Sequence, residues 1–228
     1  MKTVFVTGAG GYAGNRAVDH FRARGLDVVA GVRNRARKLA YERAGIRSLV
    51  CDVADPINVA RVIASVHPDA VLHLAGPSRA DGLTREPIES FQGCCASWVY
   101  VLDAVRRANP RARVVLVSAA DAQYSTVSPN GQTESNASRG AFFADLKHAG
   151  ESLAACFHRA FQLDQSIARP YWYTGPNQPE AAYFSNAVRR IRDAVNQGQN
   201  EVTISDLDVP RDVMHIADVV AAYERILA

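Results

Sequence analysis

Cysteine is scarce in this chain of 228 residues, and its spacing excludes two common kinds of site. Cys51, Cys94, Cys95 and Cys156 show neither the paired spacing of a metal site nor the framework of a disulfide-rich fold. We expect them to be small core residues of a protein in a reducing compartment. We therefore expect no metal site.

Long apolar runs and blocks of like charge are also missing. No stretch is long and apolar enough to span a membrane, and the N-terminus lacks the pattern of a signal peptide. We therefore expect a cytoplasmic protein without a membrane partner. The net charge is only +3 and the basic residues are scattered, which argues against nucleic acid and favours small anionic ligands.

Strand and helix patterns alternate along most of the chain. Apolar runs predict strands at 3–7, 27–32, 46–50, 69–75, 113–118 and 164–169. Helical spacing predicts helices at 12–24, 34–44, 56–66, 86–108 and 141–161. Near-continuous apolar strands are typical of a parallel sheet covered on both faces. The expected fold class is α/β, a doubly wound parallel sheet of the Rossmann type.

The alternation fades after residue 170. We predict a helix near 182–196, a short strand near 201–205 and a last helix near 216–227. The expected organisation is a Rossmann domain over residues 1–170 and a small C-terminal substrate lobe over 171–228, which is not an independent domain.

A glycine-rich turn, Thr7-Gly8-Ala9-Gly10-Gly11-Tyr12-Ala13-Gly14, lies between the first predicted strand and the first predicted helix. Glycines at 8, 11 and 14 allow a tight turn, close approach of the backbone to a pyrophosphate, and close helix–strand packing. The helix start offers N–H groups and its positive dipole end to the anion. The alternative is an ordinary turn rich in small residues. The position favours a dinucleotide site that includes Gly8, Gly11, Tyr12, Ala13 and Gly14.

The end of the second predicted strand bears on the choice of cofactor. Val32 lies where a site that prefers NAD would carry an acidic residue for the ribose hydroxyls. Arg33 and Arg35 follow, and a planar guanidinium fits a 2′-phosphate. We therefore favour NADP(H), with NAD(H) possible; the alternative is a solvated basic helix start. Asp52, before Val53, is placed to accept from an adenine amino group, or to cap the next helix.

These motifs and several later stretches resemble the extended short-chain dehydrogenase/reductases, the NAD-dependent epimerase/dehydratase family. The stretches are the glycine-rich turn, 51–53, 68–76, 169–176 and 209–220. The last two are most similar to the branch of GDP-mannose 4,6-dehydratases and GDP-6-deoxy-4-keto-mannose reductases. The resemblance covers essentially the whole chain and implies a nucleotide-sugar oxidoreductase, epimerase or dehydratase.

The resemblance also implies contacts. The cofactor would further contact Leu74, Ala75, Gly76, Lys147, Pro170 and Tyr171, and the nucleotide sugar would contact Ser78, Trp172 and Arg211. The alternative for Arg211 is a salt bridge to Asp212 or Asp218. A homodimer through helices 86–108 and 141–161 is the expected assembly.

The sequence departs from the family at the residues that carry the chemistry. The family uses a Tyr as general acid/base, a Lys four residues later, and a Ser or Thr. Lys147 matches the Lys, but Phe143 stands in the Tyr position and cannot transfer a proton. Ala120 stands in the Ser/Thr position, with Ser118 two residues earlier on the same side of an extended chain. The usual supporting Asn falls on or beside Cys94.

Three functions are therefore open. The first is an enzyme with a rebuilt site, in which Ser118 and Lys147 persist and Tyr124 or Asp121 moves the proton. Further candidates for that proton are Asp145, His148, Tyr171 and Tyr173. The second is a cofactor-binding pseudoenzyme, a sensor or a partner subunit. The third is a reductase of a non-sugar acceptor, such as a flavin or quinone, which needs no Tyr acid.

Overall fold

The main sheet contains six parallel strands. A computed structural model describes residues 3–77, 86–120, 122, 140–205, 207–208 and 210–228. The strands are β1 (Thr3–Thr7), β2 (Asp27–Val32), β3 (Ser48–Val50), β4 (Ala70–His73), β5 (Arg113–Val117) and β6 (Gln165–Ala168). They lie in the order β3-β2-β1-β4-β5-β6, and every neighbouring pair is parallel. The expected doubly wound sheet is confirmed, with its switch point between β1 and β4.

Helices connect these strands. They are α1 (Tyr12–Ala23), α2 (Arg35–Arg43), α3 (Pro56–Val66), α4 (Pro87–Phe91), α5 (Ser97–Ala108), α6 (Gly140–Phe161), α7 (Tyr183–Asn196) and α8 (Ile216–Leu227). A π-helical turn, Gln92–Ala96, joins α4 to α5, so the helix predicted at 86–108 is a run of three parts. Local sequence explains two of the starts. Asn34 caps α2, and Asp55 caps α3 ahead of Pro56.

Successive side chains along the strands alternate between two apolar cores, one on each face of the sheet. Val4 and Val6 of β1 pack with residues of α1 and α8, and Phe5 packs with residues of α3 and α5. All three strand residues are fully buried. Both faces of the sheet are therefore covered, as the near-continuous apolar strands predict.

A second, two-stranded sheet follows the main one. It pairs β7 (Trp172–Thr174) with β8 (Val213–His215) in parallel. The strand predicted at 201–205 is wrong: these residues form no strand and are largely exposed. Val202 and Ile204 are good strand formers, but a strand also requires a partner ladder, and β7 pairs with β8 instead. Helix α8 packs against α1 and the main sheet, and the boundary at residue 170 stays a prediction.

The cysteines divide into two groups. Cys51, Cys94 and Cys95 are buried, as expected, and all four thiols are free. The prediction that Cys156 is a core residue is wrong, because its position on α6 is exposed to solvent. Within the described ranges, no group of three His, Cys, Asp or Glu side chains could hold a metal ion. None of the helices described is long and apolar enough to cross a bilayer.

Candidate active site

The glycine-rich turn lies at the carboxyl end of the sheet, between β1 and α1. Gly8 has a φ of +67°, and a Cβ there would lie 2.6 Å from the Ala75 amide nitrogen. A Cβ on Gly14 would lie 2.2 Å from the Gly8 carbonyl oxygen. A Cβ on Gly11 would lie at a tight 3.3 Å from the same oxygen. The turn therefore closes against α1 and the end of β4 only because Gly8 and Gly14 lack side chains.

The N-terminus of α1 opens at this turn. Gly11 is the N-cap residue, and among the described residues no side chain caps this helix start. The first N–H groups of a helix have no partners within the helix. The amides of Tyr12, Ala13 and Gly14, together with the positive end of the helix dipole, are therefore suited to an anion. A pyrophosphate fits this turn, because the N–H groups at the start of α1 lie next to glycines that let the backbone approach the anion closely.

Helix α2 supports the turn from the side. The Tyr41 hydroxyl donates to the Ala9 carbonyl at 2.7 Å and accepts from the Asn15 amide group at 3.0 Å. The stem of Arg37 lies beside Gly10, whose Cβ would be 3.5 Å from the Arg37 Cγ. Sequence reasoning missed Tyr41 and Arg37. The apolar spacing of α2 gives no signal that its side chains reach a loop so far away in sequence.

The end of β2 adjoins the turn, because the Ala9 amide donates to the Gly31 carbonyl at 3.0 Å. Val32 is buried, and the sequence offers no acidic residue beside it. Arg33 and Arg35 are both exposed. Asn34 between them is turned to its own helix, where it accepts from the Arg37 amide. The guanidinium groups of Arg33 and Arg35 therefore lie at this edge of the sheet, and the Asn34 side chain between them is used to cap α2.

Asp52 does not cap a helix. Its carboxylate accepts from the Ala54 amide at 3.1 Å, while the Asn58 side chain accepts from the Asp52 amide at 2.9 Å. Asp55 caps α3 instead, so the alternative of a helix cap at Asp52 is wrong. The exposed Asp52 and the half-buried Val53 follow β3 at the carboxyl edge of the sheet.

A buried polar chain joins the ends of β1 and β4 to the π-helical turn. The Ala75 amide donates to the Thr7 hydroxyl, which lies 2.8 Å from His73 Nδ1. His73 Nε2 lies 3.2 Å from the Ser97 hydroxyl, which donates to the Gly93 carbonyl. These roles are consistent only if Nε2 carries the proton and Nδ1 accepts from Thr7. Burial lowers the pKa of His73 to about 3, so the ring is neutral and positions the backbone here.

Lys147 is the central polar residue of α6. Its side chain is buried, and its amine donates to the Val117 carbonyl at 3.2 Å. The amine lies 5.6 Å from the centre of the Phe143 ring and 5.9 Å from that of Trp98. Burial lowers the pKa of the Lys147 amine. Phe143, at the predicted Tyr position, therefore packs beside the expected lysine, and Trp98 of α5 is a second aromatic neighbour of the amine.

A buried carboxylate that follows Lys147 on α6 is engaged elsewhere. Glu151, one helical turn later, is buried and accepts from Arg169 through both of its oxygens. That pairing raises the pKa of the Arg169 guanidinium. The ion pair also connects α6 to the segment after β6, where Pro170 and the exposed Tyr171 lie.

Ser118 directly follows β5, and its hydroxyl lies within the buried part of the site. The Ser118 amide donates to the Ala168 carbonyl and the Ala120 amide to the Pro170 carbonyl, so the ladder continues past β5. Ala120 begins a 3₁₀ turn, so the expectation that residues 118 and 120 share one side of an extended chain stays a prediction. Among the described residues, the buried Ser118 hydroxyl has no hydrogen-bond partner. An unsatisfied buried hydroxyl is costly and is typical of a position where a ligand binds.

The π-helical turn packs against α6 beside Lys147. Cys94 and Cys95 are fully buried and cluster with Phe143. The Cys95 thiol donates to the Leu146 carbonyl. A Cβ on Gly150 would lie 2.7 Å from the Cys94 carbonyl oxygen, so the two segments touch closely. π-turns inside helices occur frequently at functional sites, and here the turn brings two thiols to the lysine.

The second sheet carries a cationic aromatic cluster. The Arg211 guanidinium lies 5.0 Å from the Trp172 ring centre and 4.7 Å from the Tyr183 ring centre. The two rings stand nearly perpendicular to each other, at 79°. A guanidinium held against aromatic rings carries planar N–H donors that suit an anion. The structure thus brings Trp172 and Arg211 together, as the resemblance implies.

Three of the expected site residues, Ser78, Asp121 and Tyr124, lie outside the described residues.

Known proteins resemble this chain along nearly its whole length. The model of the NAD dependent epimerase/dehydratase family matches residues 4–228. UDP-glucuronate 4-epimerase 3 of Arabidopsis thaliana is 25% identical over 233 residues, covering 96% of this chain and 53% of the relative. GDP-6-deoxy-D-mannose reductase of Pseudomonas aeruginosa is 28% identical over 173 residues, covering 71% of this chain and 54% of the relative.

A solved structure supports the fold. RMD from Pseudomonas aeruginosa, complexed with NADPH, superposes with a TM-score of 0.77 at 24% identity and covers 100% of this chain and 74% of that one. The chain spans about half the length of the curated relatives that it matches.

Proposed function

Because the chain belongs to the NAD dependent epimerase/dehydratase family, we propose that it is an NADP(H)-dependent oxidoreductase, epimerase or dehydratase of a nucleotide sugar. One observation carries the proposal: at one edge of the sheet, a glycine turn and the start of α1 accompany the buried Lys147 and the buried Ser118 hydroxyl. Within the described part of the chain, no side chain caps that helix start and that hydroxyl has no hydrogen-bond partner. The first feature suits a dinucleotide and the second suits a reacting hydroxyl or carbonyl.

Several residues would hold the cofactor. The turn and the start of α1 would bind the pyrophosphate through Gly8, Gly11, Tyr12, Ala13 and Gly14. Further contacts are proposed for Asp52, Val53, Leu74, Ala75, Gly76, Lys147, Pro170 and Tyr171. A bound nicotinamide supplies the acceptor or donor of a hydride.

The preference for NADP(H) is part of the proposal. It is supported by the buried, apolar Val32 and by the exposed guanidinium groups of Arg33 and Arg35 beside the turn. A 2′-phosphate would find bidentate donors there, whereas a ribose hydroxyl would find no carboxylate. Relatives with this fold do not decide the matter, since the family is described as NAD dependent and RMD binds NADPH.

The substrate is proposed to be a nucleotide sugar held by Arg211, Trp172 and Ser78. The stacked guanidinium of Arg211 supports this, because its N–H edge suits a diphosphate. For the chemistry, Ser118 would donate a hydrogen bond to the reacting oxygen. Tyr124 or Asp121 are proposed to move the proton in the absence of a phenol at position 143.

Phe143 and Ala120 favour a second candidate, a cofactor-binding pseudoenzyme or partner subunit. Loss of a positioned acid/base alone costs about 10²–10⁴-fold in rate. A third candidate is a reductase of a non-sugar acceptor, which would not need that acid.

One experiment separates the three functions. The purified chain is mixed with NADP(H) or NAD(H) and a panel of GDP-, dTDP- and UDP-sugars, and separately with flavin and quinone acceptors. Conversion of a sugar nucleotide supports the proposed enzyme. NADPH binding without conversion supports the pseudoenzyme, and NADPH oxidation by dye acceptors alone supports the third function. Failure to bind either dinucleotide contradicts all three.

A homodimer through α4–α5 and α6 and a cytoplasmic location complete the proposal. The dimer is supported by apolar side chains exposed on these helices, namely Ile88, Phe91, Leu153 and Phe161. Light scattering should give twice the chain mass of 24.7 kDa, and Leu153→Arg should halve it. The free thiols of Cys51, Cys94 and Cys95 support a reducing compartment.

A further inference from the structure

Lysine is rare in this chain, and one of its lysines is buried without a counter-ion. Of the 26 Lys and Arg residues only Lys2, Lys38 and Lys147 are lysines. The Lys147 side chain is 6% exposed. Among the described residues, it forms no ion pair with a carboxylate, because Glu151 is paired with Arg169. Lys147 therefore stands in a chain whose other cations are nearly all arginine.

The surroundings of the amine do not favour its charged form. Burial without a partner strongly disfavours an ammonium group. The two nearby rings lie close to the distance limit of about 6 Å for attraction of a cation. The Val117 carbonyl accepts one N–H, which a neutral amine can donate as well.

The titratable groups around the amine are themselves uncharged or already paired. They are Cys94 and Cys95 of the π-helical turn, His73 of β4, and Glu151 of α6 with Arg169. Burial raises the pKa of Cys94, and raises that of Cys95 to about 11, so both thiols are neutral. The neutral His73 adds no charge. The Glu151 carboxylate favours the ammonium form, and its ion pair with Arg169 weakens that effect.

We infer that Lys147 is held as a neutral amine and itself accepts the proton of the substrate hydroxyl, in the place of the missing tyrosine. The inference rests on the proposed function and deepens it, but it assigns the proton to Lys147 instead of Tyr124 or Asp121. When the alcohol is oxidised, the hydroxyl O–H bond breaks and a new N–H bond forms on Lys147 Nζ. The O–H electron pair becomes the second bond of the carbonyl. The C–H hydrogen leaves with its electron pair as hydride, for which the oxidised nicotinamide of the proposed cofactor would be the acceptor. In the reverse direction, the ammonium returns the proton to the alkoxide oxygen.

Ser118 completes the arrangement. Its hydroxyl is buried and unpartnered among the described residues, one peptide bond from the carbonyl that the amine contacts. It can donate to the substrate oxygen while the lone pair of the amine takes the proton. The two groups would divide between them the tasks of polarising the oxygen and moving the proton.

The protonation state is measured directly in the whole protein. Lysine labelled with ¹³C at Cε gives three side-chain signals, which are assigned with Lys147→Met and Lys38→Arg. Lys38, which pairs with Glu42, is the internal reference. We expect the Lys147 signal to titrate at a lower pH than the Lys38 signal, with and without NADPH. A midpoint at or above that of Lys38, or above the pH of the turnover assay, overturns the inference, because the amine would then be charged.

Turnover is measured on the same variants. Lys147→Arg keeps a positive charge and a donor for the Val117 carbonyl but cannot accept a proton. Lys147→Met keeps the bulk of the side chain but has neither a donor nor a group that accepts a proton. Both should lose about 10²–10⁴-fold in turnover. Thermal unfolding reports whether each variant is folded, and NADPH binding, followed by fluorescence, reports whether the cofactor contact proposed for Lys147 is lost. In the wild type, turnover in the oxidation direction should rise with pH through the measured Lys147 midpoint.

The possible failures are distinct. If the wild type converts a sugar nucleotide and Lys147→Met does so at a comparable rate, the inference alone is overturned. If the wild type binds NADPH but converts no sugar nucleotide, the proposed function is overturned, and the role of the amine with it. A lowered midpoint together with loss of turnover in both variants supports the inference.

Discussion

The Lys147 amine lies 5.6 Å from the centre of the Phe143 ring, so the Tyr position is filled by an apolar ring beside the expected lysine. Phe143 is buried against Cys94 and Cys95. A phenol at position 143 would restore the acid that the family uses, next to an amine that is already in place.

Phe143→Tyr should therefore increase the turnover of the nucleotide sugar. We expect a gain of at least about tenfold, toward the 10²–10⁴-fold that a positioned acid/base contributes. Adding Ala120→Ser should increase it further. Phe143→Leu is the matched control, since it changes the ring without adding a hydroxyl and should give no gain. If Phe143→Tyr binds NADPH but does not increase turnover, the missing phenol at position 143 does not limit the activity.

Arg33 should determine the preference between the two dinucleotides. Replacing it with Ala removes a charge-assisted hydrogen bond to a 2′-phosphate, worth about 1.5–3 kcal/mol. NADPH should then bind roughly 10–100-fold more weakly, while NADH affinity should change little. Binding is followed by nicotinamide fluorescence. Arg43→Ala, at the other end of α2, makes the same change in net charge and should leave both affinities unaltered. Equal losses for NADPH and NADH would contradict the 2′-phosphate contact.

Replacement by alanine should destabilise the protein at one glycine of this turn and not at another. A Cβ at Gly14 would lie 2.2 Å from the Gly8 carbonyl oxygen and 2.8 Å from the Ala9 Cα, both backbone atoms. A Cβ at Gly10 would meet only the flexible Arg37 stem, at 3.5 Å. Gly14→Ala should lower the unfolding free energy by about 1–3 kcal/mol, and Gly10→Ala should leave it nearly unchanged. Thermal unfolding of both variants without cofactor tests this, and equal melting temperatures would be the contrary result.

How much of this could be read from the sequence depends on how local each feature is. The turn at Gly8–Gly14 and the strands around Phe5 follow from local spacing, and the structure confirms them. The three-residue strands β7 and β8 do not, because they are stabilised by a partner some forty residues away. For the same reason the Tyr41 contact with Ala9 carries no local signal.

His73 should make the stability depend on pH in acid. Its pKa is lowered from 6.5 to about 3 in the folded chain. Between these values the unfolded chain binds a proton that the folded chain excludes, so the free energy of unfolding falls as the pH is lowered. The slope from this residue is about 1.4 kcal/mol per pH unit between pH 6.5 and 3, with no contribution above pH 6.5.

Urea unfolding of the wild type and of His73→Gln across this range isolates the effect, because the other titrating groups are common to both proteins. The wild type should show the steeper slope. Near pH 7 the variant should be less stable by about 1–3 kcal/mol, because Thr7 and Ser97 lose a buried partner. Parallel slopes would mean that the ring is protonated in the folded state.

Arg211 should act on substrate binding through its shape as well as its charge. Its guanidinium lies against Trp172 and Tyr183, and its planar N–H groups suit a diphosphate. A lysine keeps the charge but loses both the flat contact and the paired donors. We therefore expect Arg211→Lys to raise the KM for the nucleotide sugar about tenfold, with kcat little changed. This corresponds to a loss of roughly 1.4 kcal/mol in binding free energy. Trp172→Leu should also raise KM, because it removes one ring that orients the guanidinium.

Neither change should alter NADPH binding, since the cluster lies on the second sheet. A fall in kcat with an unaltered KM would instead place Arg211 at the reacting atoms, and an unaltered KM for both variants would remove this cluster from the substrate site.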